Sequence, residues 1–148
     1  MPFAIEFVPE SQTSDGLTSE RTGRLVLGDF EEHFFANMEF WREPDYERQW
    51  IEGLERILTG ATISCLITSI GPPKASSGLW WWTLYRSGNR IHVQNAMRFF
   101  ASLREPFDPS NPYSAVPPRR VVTEDGDPIS EWTITVGDVA QFVESMQQ

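Results

Sequence analysis

Residues 61–96 constrain the fold most, because side chains there alternate with a period of two and the connections are short. Ala61 to Ile70 and Arg90 to Ala96 read as strands with one apolar face. Between them, Leu79 to Arg86 is apolar on both faces, so it is either covered on both or half covered, with the rest used for contact. Ser87-Gly88-Asn89 leaves no room for a crossover helix, which predicts antiparallel pairing.

Two amphipathic helices are predicted on either side of these strands. Pro44 and Gly60 bound the first, over residues 44–58, whose apolar stripe includes Tyr46 and Trp50. Gly137-Asp138 is expected to cap the second, at the C-terminal end. The pattern indicates an α+β fold: a single domain with a mainly antiparallel central sheet, one long amphipathic helix before it and a C-terminal helix.

The N-terminal part of the chain is polar and rich in turn residues. Phe3 to Val8 could form an edge strand, and residues 9–22 read as a mobile loop. We therefore divide the chain into a polar N-terminal segment, 1–22, and a single α+β domain, 23–148. Within that domain Arg24 to Leu27 is a candidate strand, and Asp29 is expected to cap a short helical turn running to Phe35.

Two further short strands are predicted near the C-terminal end. They are Val121-Val122 and Trp132 to Val136, separated by an acidic loop. The proline-rich stretch 104–118 before them reads as an irregular crossing of the domain.

Charge and cysteine content exclude several classes of partner and site. Acidic residues outnumber Lys and Arg by 21 to 12, for a net charge of −9, which argues against a nucleic-acid partner. Cys65 is the only cysteine, so a disulfide framework or multi-cysteine metal site is excluded. No apolar stretch is long enough for a membrane helix. We expect a protein of a reducing compartment, with no membrane partner and no cofactor.

The candidate chemistry is sparse. His33 and His92 stand in no catalytic motif, and Cys65 lies mid-strand, where a buried inert thiol is expected. The run Glu31-Glu32-His33 reads as a solvated acidic face, because consecutive side chains of a helical turn diverge and rarely bind one metal. At least two of Trp80-Trp81-Trp82 are expected in the core. No enzyme is predicted; a binding protein with a basic target fits better.

A set of short segments is spread over residues 24–143. They are Phe40-Trp41, Asp45-Tyr46-Glu47-Arg48-Gln49-Trp50, Leu54, Leu66-Ile67-Thr68-Ser69, Trp82-Thr83-Leu84-Tyr85-Arg86, Ile91-His92-Val93-Gln94-Asn95 and Ile129-Ser130-Glu131-Trp132. Together they resemble the immunity proteins of contact-dependent growth inhibition systems (CdiI-type). The resemblance implies a cytoplasmic bacterial protein that binds and blocks a cognate toxin domain, often a nuclease with a basic cleft. The matched positions are structural, and we assign Trp50, Trp82 and Trp132 to the core.

For the toxin-binding surface we expect acidic residues outside the packing stripes. One acidic surface ahead of the main helix would comprise Asp29, Glu31, Glu32, Glu39 and Glu43, and a second candidate is the loop with Glu124, Asp125 and Asp127. The alternative for both is ordinary solvated surface. Two other functions stay open: a small enzyme using paired carboxylates, such as Glu39 with Glu43 or Asp125 with Asp127, and an adaptor of a secretion or phage-related assembly.

Overall fold

Two antiparallel sheets contain the strands of this fold. The computed structural model describes residues 2–9, 20–72 and 77–147. In chain order its main elements are β1 (Phe3–Phe7), β2 (Glu20–Leu27), β3 (Phe30–Asn37), α1 (Glu43–Leu58), β4 (Ile63–Ile70), β5 (Gly78–Ser87), β6 (Arg90–Phe99), β7 (Trp132–Thr135) and α2 (Val136–Met146). Within the described ranges the sheets have the orders β1-β2-β3 and β4-β5-β6-β7. The predicted α+β class is confirmed, although the strands divide between two sheets.

The four-stranded sheet contains the three strands predicted from residues 61–96. All its pairings are antiparallel, and β5 lies between β4 and β6. Trp81 and Trp82 point to opposite faces of β5 and are each only 1% exposed, so both faces are covered at this point of the strand, whereas Trp80 is 52% exposed. Strand β6 extends to Phe99, three residues beyond its predicted end.

Helix α1 packs along the edge of β4 that β5 leaves open. Gln49 donates to the Cys65 carbonyl at 2.8 Å and accepts from the Ile67 N–H at 2.7 Å. The indole of Trp50 donates to the Ile67 carbonyl at 2.7 Å. Side chains of the helix therefore satisfy backbone groups that a neighbouring strand would otherwise bind.

Two further contacts draw α1 close to this edge. The Tyr46 hydroxyl accepts from the Ile70 N–H at 3.0 Å, and burial raises the pKa of this phenol to about 12. A Cβ placed on Gly53 would lie 2.3 Å from the Cys65 carbonyl oxygen. Glycine is therefore required where the helix touches the strand.

The segment after Asp29 is a strand, so the predicted helical turn is wrong. Gly28 adopts φ +66°, and the turn it forms with Asp29 pairs Leu27 with Phe30. Side chains of β3 then alternate across the sheet, with Phe34 and Ala36 buried and Phe35 exposed. Hairpin pairing with β2 decides the conformation, and the residues of this segment taken alone do not reveal that pairing.

The N-terminal strand is observed at the edge of the three-stranded sheet, where β1 pairs with β2 throughout. The mobile loop predicted over residues 9–22 ends earlier than expected, because β2 begins at Glu20. Residues 10–19 of that prediction lie outside the described residues.

Near the C-terminal end two local predictions are corrected. Val121-Val122 forms no strand; Val122 makes a single bridge to Pro128. Helix α2 is capped by Thr135, whose hydroxyl accepts from the Asp138 N–H at 3.1 Å, while the Asp138 carboxylate accepts from the Thr135 N–H at 2.9 Å. Asp138 thus closes a capping box from inside the helix instead of capping it.

Candidate functional site

An open cleft of about 460 Å³ lies between β3 and one face of the four-stranded sheet. One wall is β3 from Glu32 to Phe35, and the other includes Thr68, Trp80 and Asn95. The three-stranded sheet covers part of this face, since Phe30 packs on Trp82 with ring centroids 6.3 Å apart. It stops short of Trp80, which therefore borders the cleft.

Exposed apolar side chains continue from the cleft along the same face. Trp80 is 52% exposed, in contrast to its two buried tryptophan neighbours. Met97 pairs with Trp80 across the strands, and Phe99 lies two residues further along β6, with 57% of its surface exposed. These three residues form what we call the exposed strip. Contiguous exposed apolar surface of this kind is typical of interaction sites.

The ionisable side chains that line the cleft are acidic or histidine. Glu32 projects to the inner face of β3, where it pairs with Leu25 of β2, and Glu20 and His33 also line the cleft. Among the described residues that form its walls there is no lysine or arginine. A cleft with this lining favours a cationic group beside an apolar one.

The structure does not bring the five acids of the first predicted surface together. Asp29 lies in the turn before β3, whereas Glu39 follows its far end, and eight strand residues separate the two by roughly 25 Å. Glu31 and Glu32 project to opposite faces of the sheet. Glu43 begins α1 and forms an ion pair with Arg21.

Glu31 is partly neutralised on the outer face of the sheet. Arg24 lies 3.1 Å from its carboxylate and also pairs with Glu6 at 3.3 Å. The hydrogen bond from Arg24 holds the pKa of Glu31 below its usual range. Of the five acids, only Glu32 therefore lines the cleft.

The three acids of the second candidate lie together on one exposed turn. The Thr123 N–H donates to the Asp127 carbonyl at 2.8 Å, and Gly126 takes φ +87°. Glu124, Asp125 and Asp127 are exposed and have no ion pair with other described residues. The turn concentrates negative charge at one point of the surface.

The carboxylate of Glu131, which follows the acidic turn in the chain, connects the turn to the four-stranded sheet through hydrogen bonds. Glu131 accepts two hydrogen bonds from Arg119, at 2.6 and 2.9 Å, and one from Gln94 of β6 at 2.8 Å. The bonds from Arg119 contribute most to lowering the pKa of Glu131. The acidic turn is thus tied to a strand that also carries part of the exposed strip.

The candidate catalytic groups are dispersed. Burial raises the pKa of the Cys65 thiol, which agrees with the predicted inert position. His92 bonds Thr133 through Nδ1 at 3.2 Å, whereas His33 lies on another sheet. In the described ranges, histidine, cysteine and acidic side chains form no cluster able to hold a metal ion. No described helix is long and apolar enough to cross a membrane.

Comparison with known proteins identifies the family. The family model described as the CdiI N-terminal domain matches residues 36–142. The chain belongs to this CdiI family. Immunity protein CdiI of Enterobacter cloacae subsp. cloacae is 29% identical to it over 122 residues, which cover 82% of this chain and 83% of the relative.

A chain in a solved structure is similar to nearly the whole length of this one. A chain of the CdiA-CT/CdiI toxin and immunity complex from Enterobacter cloacae superposes with a TM-score of 0.85 at 27% identity, covering 98% of both chains. The resemblance found in the sequence is confirmed. Of the three tryptophans assigned to the core, Trp50 and Trp82 are buried. Trp132 is half-buried and packs on Phe30, with ring centroids 4.4 Å apart.

Sequence reasoning does not predict the apolar part of this candidate site. Phe35, which is 61% exposed, was assigned to a helical turn, and Phe99 lay beyond the predicted end of its strand. Alternation continued through Met97 to Phe99 was the signal that could have found the exposed strip.

Proposed function

We propose that this chain is an immunity protein that binds the toxin domain of a contact-dependent growth inhibition system and neutralises it. The observation that carries the proposal is the superposition, over 98% of both chains, on a chain from a toxin and immunity complex. The relative named as an immunity protein supports it, because it matches most of the length of both sequences.

The mode of action that we propose is occupation of the toxin without catalysis, in the bacterial cytoplasm. The supporting observations are the dispersed histidines, the buried thiol and the lack of a metal-binding cluster among the described residues. The net charge of −9 suits a basic partner, and we propose a nuclease, whose substrate cleft must attract phosphate.

The test is a growth assay with the toxin domain encoded beside this gene. Induced alone, that domain should arrest growth, and co-expression of this chain should restore it. A toxin domain from an unrelated inhibition system serves as the control, because a cognate inhibitor should leave it active. Growth arrest that persists despite soluble, folded protein would contradict the proposal.

Binding to the purified toxin domain gives an independent measurement. Titration calorimetry should show one-to-one binding that weakens as salt is raised, because charge attraction contributes to encounter and affinity. If an assay of the isolated toxin detects a nuclease, adding this chain in equal amount should abolish its activity. A toxin that cleaves no nucleic acid would remove the nuclease proposal and leave the immunity function standing.

A further inference from the structure

Over most of its length, the outer edge of β3 is paired with none of the residues that the structure describes. Hydrogen bonds from Val8 N–H to the Thr22 carbonyl at 3.0 Å, and from Gly28 N–H to the Pro2 carbonyl at 2.8 Å, fix which residues of β2 face β1. The alternate residues of β2 therefore face β3. The observed pairing of β2 with β3 continues this alternation. The backbone N–H and carbonyl groups of Glu31, His33 and Phe35 therefore point away from β2.

At the next residue whose backbone groups point away from β2, side chains of other elements close the edge. Asn37 donates its N–H to the Ser69 hydroxyl at 3.1 Å, and its carbonyl accepts from the Tyr46 hydroxyl at 2.6 Å. Among the described residues no strand or side chain does this for Glu31, His33 and Phe35. Three consecutive outward positions thus hold donors and acceptors in strand geometry that no described part of the chain pairs with.

This open edge borders the cleft. A strand added to β3 would lie over the part of the four-stranded sheet that the three-stranded sheet leaves uncovered. Its inward side chains would meet the exposed strip, beginning at Trp80. Backbone pairing and apolar contact would then act on the same segment, a combination that gives affinity and specificity in strand addition.

We propose that the open edge of β3, together with the exposed strip, is the docking site for an extended, basic segment of the toxin domain. The segment adds a fourth strand to the β1-β2-β3 sheet. It places an apolar side chain on Trp80 and a lysine or arginine beside Glu32. This inference rests on the proposed immunity function and specifies where the toxin binds.

Charge distinguishes the toxin from a second copy of this chain as the occupant. Pairing two β3 edges would bring the Glu32 carboxylates of both copies onto one short stretch, whereas Arg24 already offsets the charge of Glu31. Like charges close together across strands are destabilising. No lysine or arginine among the described residues that line the cleft could offset them. A basic segment has the opposite effect, because it neutralises the acid that the cleft exposes.

Amide hydrogen exchange of the free protein and of its complex with the cognate toxin domain tests the backbone contact. The amides of Glu31, His33 and Phe35 should exchange fast in the free protein. In the complex they should slow by about a hundredfold or more, as amides paired in a stable sheet do. The inward amides of Glu32 and Phe34, already paired with β2, are the internal reference.

Two variants test the contributions of backbone and side chain. His33→Pro removes an outward N–H while leaving the pairing with β2 in place, and Trp80→Ala removes the anchor of the exposed strip. Each should weaken toxin binding by about tenfold or more, with unfolding midpoints close to wild type. Met146→Ala, at an exposed apolar residue of α2, is the matched control and should bind like wild type.

The outcomes separate this inference from the proposed function. If wild type neutralises the toxin but the three outward amides keep exchanging fast and Trp80→Ala binds normally, the docking site is wrong and the function stands. A dimer of this chain that Trp80→Ala dissociates, with toxin binding unchanged, would also overturn the docking site. If wild type fails to neutralise or bind the toxin, both proposals fail together.

Discussion

The carboxamide oxygen of Gln49 accepts a hydrogen bond from the backbone N–H of Ile67 at 2.7 Å. The amide group of the same side chain donates to the Cys65 carbonyl, so one residue of α1 binds both kinds of backbone group on the edge of β4. Gln49 is buried although it is polar. The contact fixes the helix against the four-stranded sheet and leaves no free edge there for another chain to pair with.

Gln49→Ala should destabilise the protein by about 2–4 kcal/mol, because a buried N–H and a buried carbonyl would lose their partners. Chemical denaturation at neutral pH measures the free energy of unfolding. Arg48→Ala, on the exposed face of the same helix, is the control and should change it by no more than about 0.5 kcal/mol. Equal losses in the two variants would contradict the role assigned to Gln49.

Gly53→Ala should destabilise the protein by about 1–3 kcal/mol, although alanine is the better helix former. The new Cβ would lie 2.3 Å from the Cys65 carbonyl oxygen, so the helix would have to move away from β4. Gly137→Ala in α2 is the matched control. Its nearest heavy atom would be the Thr135 hydroxyl oxygen at 3.7 Å, which predicts unchanged or slightly higher stability. Thermal unfolding of both variants decides the point.

The adjacent tryptophans of β5 should differ sharply when each is replaced by alanine. Trp81→Ala should cost about 3–5 kcal/mol, because it empties a site in the core. Trp80→Ala should cost less than about 1 kcal/mol, since half of its side chain already contacts solvent. Denaturation midpoints give the comparison. A large stability loss for Trp80→Ala would mean that this residue belongs to the packing of the fold.

The contribution of the Glu131 carboxylate to the free energy of unfolding should depend on pH. Hydrogen bonds, chiefly from Arg119, hold its folded pKa below the ordinary value of 4.5. The stabilisation is therefore complete above the unfolded pKa and is lost as pH falls through the lower folded value. The stability difference between wild type and Glu131→Gln should be largest near neutral pH and shrink below about pH 4. Glu124→Gln, on the exposed turn, should track wild type throughout.

Reversing charge on the acidic turn should slow toxin association. Asp125→Lys combined with Asp127→Lys should lower the association rate by about threefold to tenfold and flatten its salt dependence, with stability unchanged. The control pair Glu55→Lys and Glu144→Lys makes the same change in net charge at other exposed positions. Stopped-flow mixing at several salt concentrations measures both. Equal slowing by the two pairs would assign the effect to overall charge.

The sequence predicted the elements whose pattern is local and long. Helix α1 and the strands β4 to β6 follow from periodicity carried over seven or more residues, which tertiary contacts reinforce. Strand β3 was mistaken for a helical turn because Asp29 is also a good cap residue. What decides there is pairing with β2, together with the positive φ of Gly28.

The candidate site is harder to predict from the sequence, because it depends on which face of its sheet each side chain projects from. Asp29, Glu31 and Glu32 are close in sequence, yet the strand separates the last two onto opposite faces. The apolar half of the site needs two sheets to meet and one to stop short of Trp80. No local pattern carries that information, whereas the family resemblance, which rests on packing residues, was visible directly.

The sheet edges formed by β3 and β4 differ in how freely their residues can change. Along β4 the edge is closed by Tyr46, Gln49 and Trp50, so a change in any of them affects the core. On β3 the side chains of His33 and Phe35 are exposed to solvent. Replacing either of them should alter the free energy of unfolding by only about 0.5 kcal/mol. Of these two edges, the exposed positions of β3 are therefore the ones where the sequence can vary while the fold stays intact.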